Sequence, residues 1–227
     1  MRDTYHDELN GISTSLVEMT NQVGSAMSRA TTALLDADLT LAETVISNDD
    51  AVDARYRDIE ARAFDLLARQ QPVASDLRVL VTSLRMVADL ERMGDLSVHV
   101  AKVARLRIPS VAVPAELRPT IIRMAEVAET MVESVANVIA ERDLDAARAL
   151  EVADEEMDQL RRSSFLLMLG DEWPYGIEPA VDIALLGRYY ERIADHAVSL
   201  ARRVVYLVTG ETHAAYTADD TMPTSRS

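Results

Sequence analysis

The chain contains itself twice. Moved along itself by 105 residues, it lays Asp38, Leu39, Ala42, Asp49 and Asp53 on Asp143, Leu144, Ala147, Asp154 and Asp158, and Met19 on Met124. Moved by 100 residues, it lays ERMGD at 91–95 on ERIAD at 191–195. The offset changes inside a loop, where a small difference in length costs little. Identities gathered on the same chemical types indicate an internal duplication. Whatever the fold, it has to be one that two like units build by burying their apolar faces against each other.

The units are helical. Apolar residues recur at helical period over about 4–36, 38–70, 76–107, 115–141, 143–170 and 178–209, with breaks at Pro72, at Pro109 to Pro119 and at Trp173-Pro174-Tyr175-Gly176. Hydrophobic residues make up 48% of the chain but aromatics only 4%, so the core is Ala, Val, Leu, Ile and Met packed helix on helix. The expected fold is all-α: two tandem three-helix bundles related by internal pseudo-twofold symmetry. The first repeat spans 1–108 and the second 109–210, and the polar tail 211–227 is expected to be disordered.

Composition narrows the chemistry. With no cysteine, neither disulfides nor thiolate-held zinc or iron–sulfur clusters can form, and a metal would need oxygen or imidazole ligands. A formal charge of −15 opposes nucleic acid and anionic lipid. The charged start MRDTYHDELN has no apolar h-region, and no apolar run is long enough to span a membrane. A cytoplasmic location is the expectation.

The duplication repeats a D/E-x-x-x-D spacing at four places: Asp49/Asp53, Glu91/Asp95, Asp154/Asp158 and Glu191/Asp195. Residues four apart share a helix face, so each pair aims two carboxylates in one direction. Such pairs usually point at water. Here Glu91 and Asp95 continue a stripe through Leu77, Leu80, Val81, Leu84 and Ala88, while Arg78, Arg85 and Arg92 form a separate basic stripe. Inward-facing acids on neighbouring helices repel one another unless protonated, paired with arginine or bridged by cations. The expectation is metal, held by carboxylate oxygens from facing helices. His99, one turn beyond Asp95, is a possible additional ligand, and His196 a weaker one.

The segments QQPVASDLR at 70–78, LERMGDLSVHVAK at 90–102 and YYERIADHAVSLARRVVY at 189–206 resemble the PhoU family of phosphate-transport accessory and regulatory proteins. The resemblance runs from about residue 5 to residue 209. It implies one multinuclear metal cluster per repeat, the first on Asp49, Asp53, Glu91 and Asp95, the second on Asp154, Asp158, Glu191 and Asp195. Iron, zinc and magnesium all remain open. It further implies a negative regulator of the phosphate-starvation response, an adaptor between the ATPase subunit of a phosphate ABC transporter and a PhoR-type sensor histidine kinase. A homodimer is expected.

Two other classes compete. A carboxylate-bridged dimetal enzyme would use E-x-x-H, but Gly94 and Ala194 stand where the histidines belong. No nucleophile triad, phosphate loop or zincin motif is present, so no enzyme is expected. A purely structural bundle would neutralise its acids with arginine instead of metal.

Overall fold

The computed structural model describes residues 2–170 and 172–211, so the expected disordered tail falls outside the described residues from 212 onward. Seven helical segments occupy the described chain: α1 (Arg2–Asp36), α2 (Leu39–Ser47), α3 (Asp49–Gln70), α4 (Ala74–Arg107), α5 (Arg118–Glu141), α6 (Leu144–Met168) and α7 (Ile177–Thr209). Five of the segments match expected helices to within a few residues, and the helix expected over 38–70 is the two segments α2 and α3.

The repeat is visible in the corners. Ala37 (φ 53°) and Arg142 (φ 56°) both take the left-handed conformation, and the next residue, Asp38 or Asp143, caps the following helix. The Leu41 N–H donates to Asp38 at 2.9 Å, and those of Asp145 and Ala146 donate to Asp143 at 2.9 and 3.1 Å. The copies diverge at Asn48, where α2 gives way to α3. The Ala51 N–H bonds the Asn48 carbonyl three residues back, a tighter turn than the α-helix, whereas α6 runs unbroken through the matching Ala153.

Helices α1, α4, α5 and α7 pack together at the centre. The α2–α3 pair lies against α1 and α4, and α6 lies against α5 and α7. Helices α4 and α7 run antiparallel, since Arg107 at the end of α4 meets Glu178 and Asp182 at the start of α7, while Arg78 near the start of α4 lies over the Tyr206 ring at 5.8 Å. One apolar core joins both halves, from Leu16, Met19 and Met27 through Met93 to Leu117, Met124, Met131 and Tyr190.

The stripe expected to bury one face of α4 was misplaced. Of Leu77, Leu80, Val81, Leu84 and Ala88, only Leu80 is buried; Leu77 is 42% exposed and Val81 39%. The buried face instead runs through Met86, Val87, Leu90, Met93, Gly94, Ser97 and Ala101. Because α4 is enclosed by α1, by α2–α3 and by α7, it is apolar on several sides, and no single stripe marks its interior.

Candidate metal centres

Each repeat brings its two acidic pairs together, one from the middle helix and one from the last. Asp49 and Asp53 stand on α3 and face Glu91 and Asp95 on α4, and all four are half-buried. Burial pushes the Asp49 carboxyl above the usual range, and the charges of Asp95 and Asp53 add to it. Glu91 is pushed up by burial and then by Asp95, with smaller contributions from Asp53 and Asp49 and opposition from Arg92. These mutual effects require the four groups to share one electrostatic neighbourhood.

The second repeat places Asp154 and Asp158 on α6 opposite Glu191 and Asp195 on α7. The Asp154 carboxyl is raised from 3.8 to about 6 by burial, then by Asp195, Asp158 and Glu191, with Arg202 opposing. Inwardness was overestimated here. Asp158 and Asp195 are exposed, Asp154 is half-buried and only Glu191 is buried. Asp158 and Asp195 stand at the outer edge of the α6–α7 contact, where their carboxylates reach water.

Arginines partly neutralise both groups, unequally. Arg92 lies 3.0 Å from Asp95 and 3.8 Å from Glu91. Arg192, its counterpart, is 4.0 Å from Asp195. Glu191 has two more cations, Arg161 at 3.0 Å and Arg188 in direct contact. Their counterparts by the internal repeat are Tyr56 and Ala88, so the first quartet lacks both. That substitution pattern is the sequence signal for the asymmetry. It was missed because a helical wheel shows one helix and Arg161 reaches Glu191 from another.

The first quartet's donor set suits a hard cation, being all carboxylate, with the Asp49 and Glu91 pKa values raised by burial and then by their like-charged neighbours. As placed, no three acidic or imidazole groups among the described residues converge on one point, so binding requires the side chains to rotate inward and Arg92 to release its hold. The break at Asn48 puts Asp49 in the first turn of α3, where the positive end of the helix dipole favours a carboxylate; Asp154, within α6, has no such support.

Beside Asp49 lies a cavity of about 380 Å3, walled by Gln22, Ser25, Arg29, Asn48 and Gly94 among others. In the second repeat the positions of Ala26, Val52 and Gly94 are Met131, Met157 and Ala194, all three buried, which is why the hollow belongs to the first repeat. A methyl on Gly94 would come within 3.1 Å of Val52 Cγ1.

Neither histidine is fixed by the carboxylates of its own repeat's quartet. His99 stacks on Tyr189 with ring centroids 5.3 Å apart, and His196 Nδ1 stands 3.0 Å from Asp89 Oδ1. Asp89 also accepts from Ser199 and Arg203; against the effect of burial, the bonds from His196 and Arg203 hold its carboxyl below the usual range. Reading the acidic pairs alone could not find this α4–α7 cluster, whose members share neither helix nor spacing.

The PhoU domain family model matches residues 16–104 and again 121–204, one match on each repeat. The chain belongs to the PhoU family. It is 44% identical to the phosphate-specific transport system accessory protein PhoU homolog 1 of Mycobacterium leprae over the whole of both chains. It is 46% identical to PhoU homolog 2 of Mycobacterium tuberculosis over 92% of this chain and 99% of the relative. Among crystal structures, PhoU from Pseudomonas aeruginosa superposes with a TM-score of 0.81 at 32% identity, covering 91% of this chain and all of the other. The phosphate transport system regulatory protein PhoU from Streptococcus pneumoniae gives 0.82 at 25% identity, covering 91% and 98%. The all-helical PhoU fold follows, and no helix among the described residues is long and apolar enough to cross a membrane.

A pH dependence follows from Asp154. In metal-free protein its raised pKa means that ionisation opposes folding: the cost is absent below about 4, grows as pH rises from there to about 6, and is fully present above that. Asp154→Asn is therefore expected to stabilise the metal-free fold at neutral pH by about 1 kcal/mol, once more than half the shift is discounted for solvent screening, and so to raise its thermal midpoint. The gain should vanish in scans near pH 4.

Proposed function

We propose that this PhoU protein is an accessory of phosphate transport that binds metal at its two carboxylate quartets and represses the phosphate-starvation response. It works without catalysis, as an adaptor linking the ATPase subunit of a phosphate ABC transporter to a PhoR-type sensor histidine kinase, in the cytoplasm and as a homodimer. The observation that supports metal is the crowding of four carboxylates at Asp49, Asp53, Glu91 and Asp95, with too little arginine nearby to balance them. The adaptor role rests on likeness to accessory proteins over the full chain. Exposed apolar residues at matching places on α4 and α7, Leu77 and Val81 beside Ile177 and Val181, offer surface for such partners.

Two measurements test the reading. Protein purified without a metal-affinity tag is expected to contain stoichiometric iron, zinc or magnesium, and a chelator should lower its melting temperature. Metal-free protein indifferent to chelator would instead favour arginine neutralisation, a reading that Glu191, with Arg161 and Arg188 on it, already suits at the second quartet. Deleting the gene is expected to switch on phosphate-starvation genes in phosphate-rich medium. Unchanged repression there would refute the regulatory role.

A further inference from the structure

The pseudo-twofold axis passes through the α4–α7 seam and makes its two ends comparable. Contacts correspond across it: His99 on Tyr189 at one side is matched by Ser199 on Asp89 at the other. At the end where α7 begins, Glu178 and Asp182 form an acidic pair, and Arg107 from α4 neutralises it, with two bonds to Asp182 at 2.5 and 3.0 Å. At the opposite end the counterparts of Glu178, Asp182 and Arg107 are Arg78, Thr82 and Leu207. The charge is reversed there, and the position that should supply the counter-ion holds an aliphatic side chain.

The positive charge at this end stays unbalanced. Arg202 uses Nε for Glu151 and Arg203 uses Nε for Asp89, which leaves their terminal amino groups over. Asp195 is set against Arg192. Arg85 makes no ion pair among the described residues, and neither does Arg78, whose buried Nε has no hydrogen-bond partner. A pocket of about 340 Å3 opens here, with Arg85, Arg202 and Arg203 on its wall beside the hydroxyl-bearing Thr82, Ser199 and Tyr206; Arg78, on the Tyr206 ring, stands behind it. Asp195 at its edge opposes a bare anion but can accept from a protonated one.

We propose that this pocket binds a phosphate-type tetrahedral oxyanion, either inorganic phosphate or a phosphate monoester. Planar guanidinium forks and hydroxyl donors are the groups that match such an anion, and Arg85, which has no ion pair among the described residues, is the charge on the pocket wall that it balances. The site borders the second quartet, sharing Asp195 with it, but its donors Arg85, Arg203, Thr82, Ser199 and Tyr206 are not quartet residues, so the proposal does not need metal at the quartets.

The test is a titration of the full chain, kept metal-free with chelator so that phosphate cannot sit on a quartet ion, followed by amide and arginine Nε–H nuclear magnetic resonance. Inorganic phosphate, phosphoserine and sodium chloride at matched ionic strength are the three arms. Saturable shifts at Thr82, Arg85, Ser199 and Tyr206 with phosphate or with phosphoserine support the site, and the tighter of the two names the source. Arg85→Gln, at an exposed position, is expected to weaken binding at least about tenfold, with Arg85→Lys in between. A response to chloride equal to that of phosphate, no saturable response, or unchanged affinity in Arg85→Gln protein with an unaltered circular dichroism spectrum overturns the proposal.

Discussion

Asp49→Asn combined with Glu91→Gln is expected to empty the first quartet of metal while the second keeps its share. The amides preserve size and remove two of four anionic donors, one from each helix, so a hard cation loses the charge that replaces its water shell. Affinity at that quartet should fall by at least about 100-fold, since even changes to residues behind a ligand commonly cost 10- to 100-fold. Elemental analysis per chain, on tag-free protein, should register the loss at one repeat only. The same variant separates metal from salt bridging by a sign. The pKa values of Asp49 and Glu91 are both pushed up by burial and by neighbouring carboxylates, so the metal-free variant should melt higher than metal-free wild type. If Arg92 were the true counter-ion, the variant would melt lower. Glu191→Gln supplies the contrast: it strands Arg161 and Arg188 and is expected to destabilise.

The second large effect is expected at Tyr190, on α7. Its ring is fully buried in the joint core, and its hydroxyl is 2.7 Å from Thr31 Oγ1 on α1, in the other repeat. Tyr190→Ala removes a large buried ring and leaves a hole that the packed helices can only partly close, at a cost of about 4 kcal/mol. Tyr190→Phe keeps the ring and loses the hydrogen bond, and should cost about 1 kcal/mol. Because Tyr190 is in contact with both repeats, the alanine variant should lower one shared transition in calorimetry. Two separate transitions, with only the later half of the chain weakened, would mean that the core does not join the repeats.

Much of this was legible in the residues. Glycine and proline are rare enough that each cluster of them marked a real helix boundary. The four acidic spacings are pairs that the fold sets opposite one another across α3–α4 and α6–α7. The break at Asn48 was hidden because no glycine or proline stands there; the chain tightens by one hydrogen bond and continues. The interior face of α4 was hidden for a different reason. Leu77 and Val81 are as apolar as Leu80 and Leu90, and only the placement of three neighbouring helices decides which of them meets water. Likewise the unequal neutralisation of the quartets depends on Arg161 and Arg188, residues that look like ordinary surface arginines until α6 is laid against α7.

The two ends of the α4–α7 seam carry opposite charge, Arg78 and Arg85 at one and Glu178 and Asp182 at the other. A true homodimer could not do this, because every substitution in it is made on both sides of the axis at once. Joining two copies in one polypeptide lifts that constraint. One face can then be tuned for one visitor and the opposite face for another, while the shared helical frame keeps both at a fixed separation.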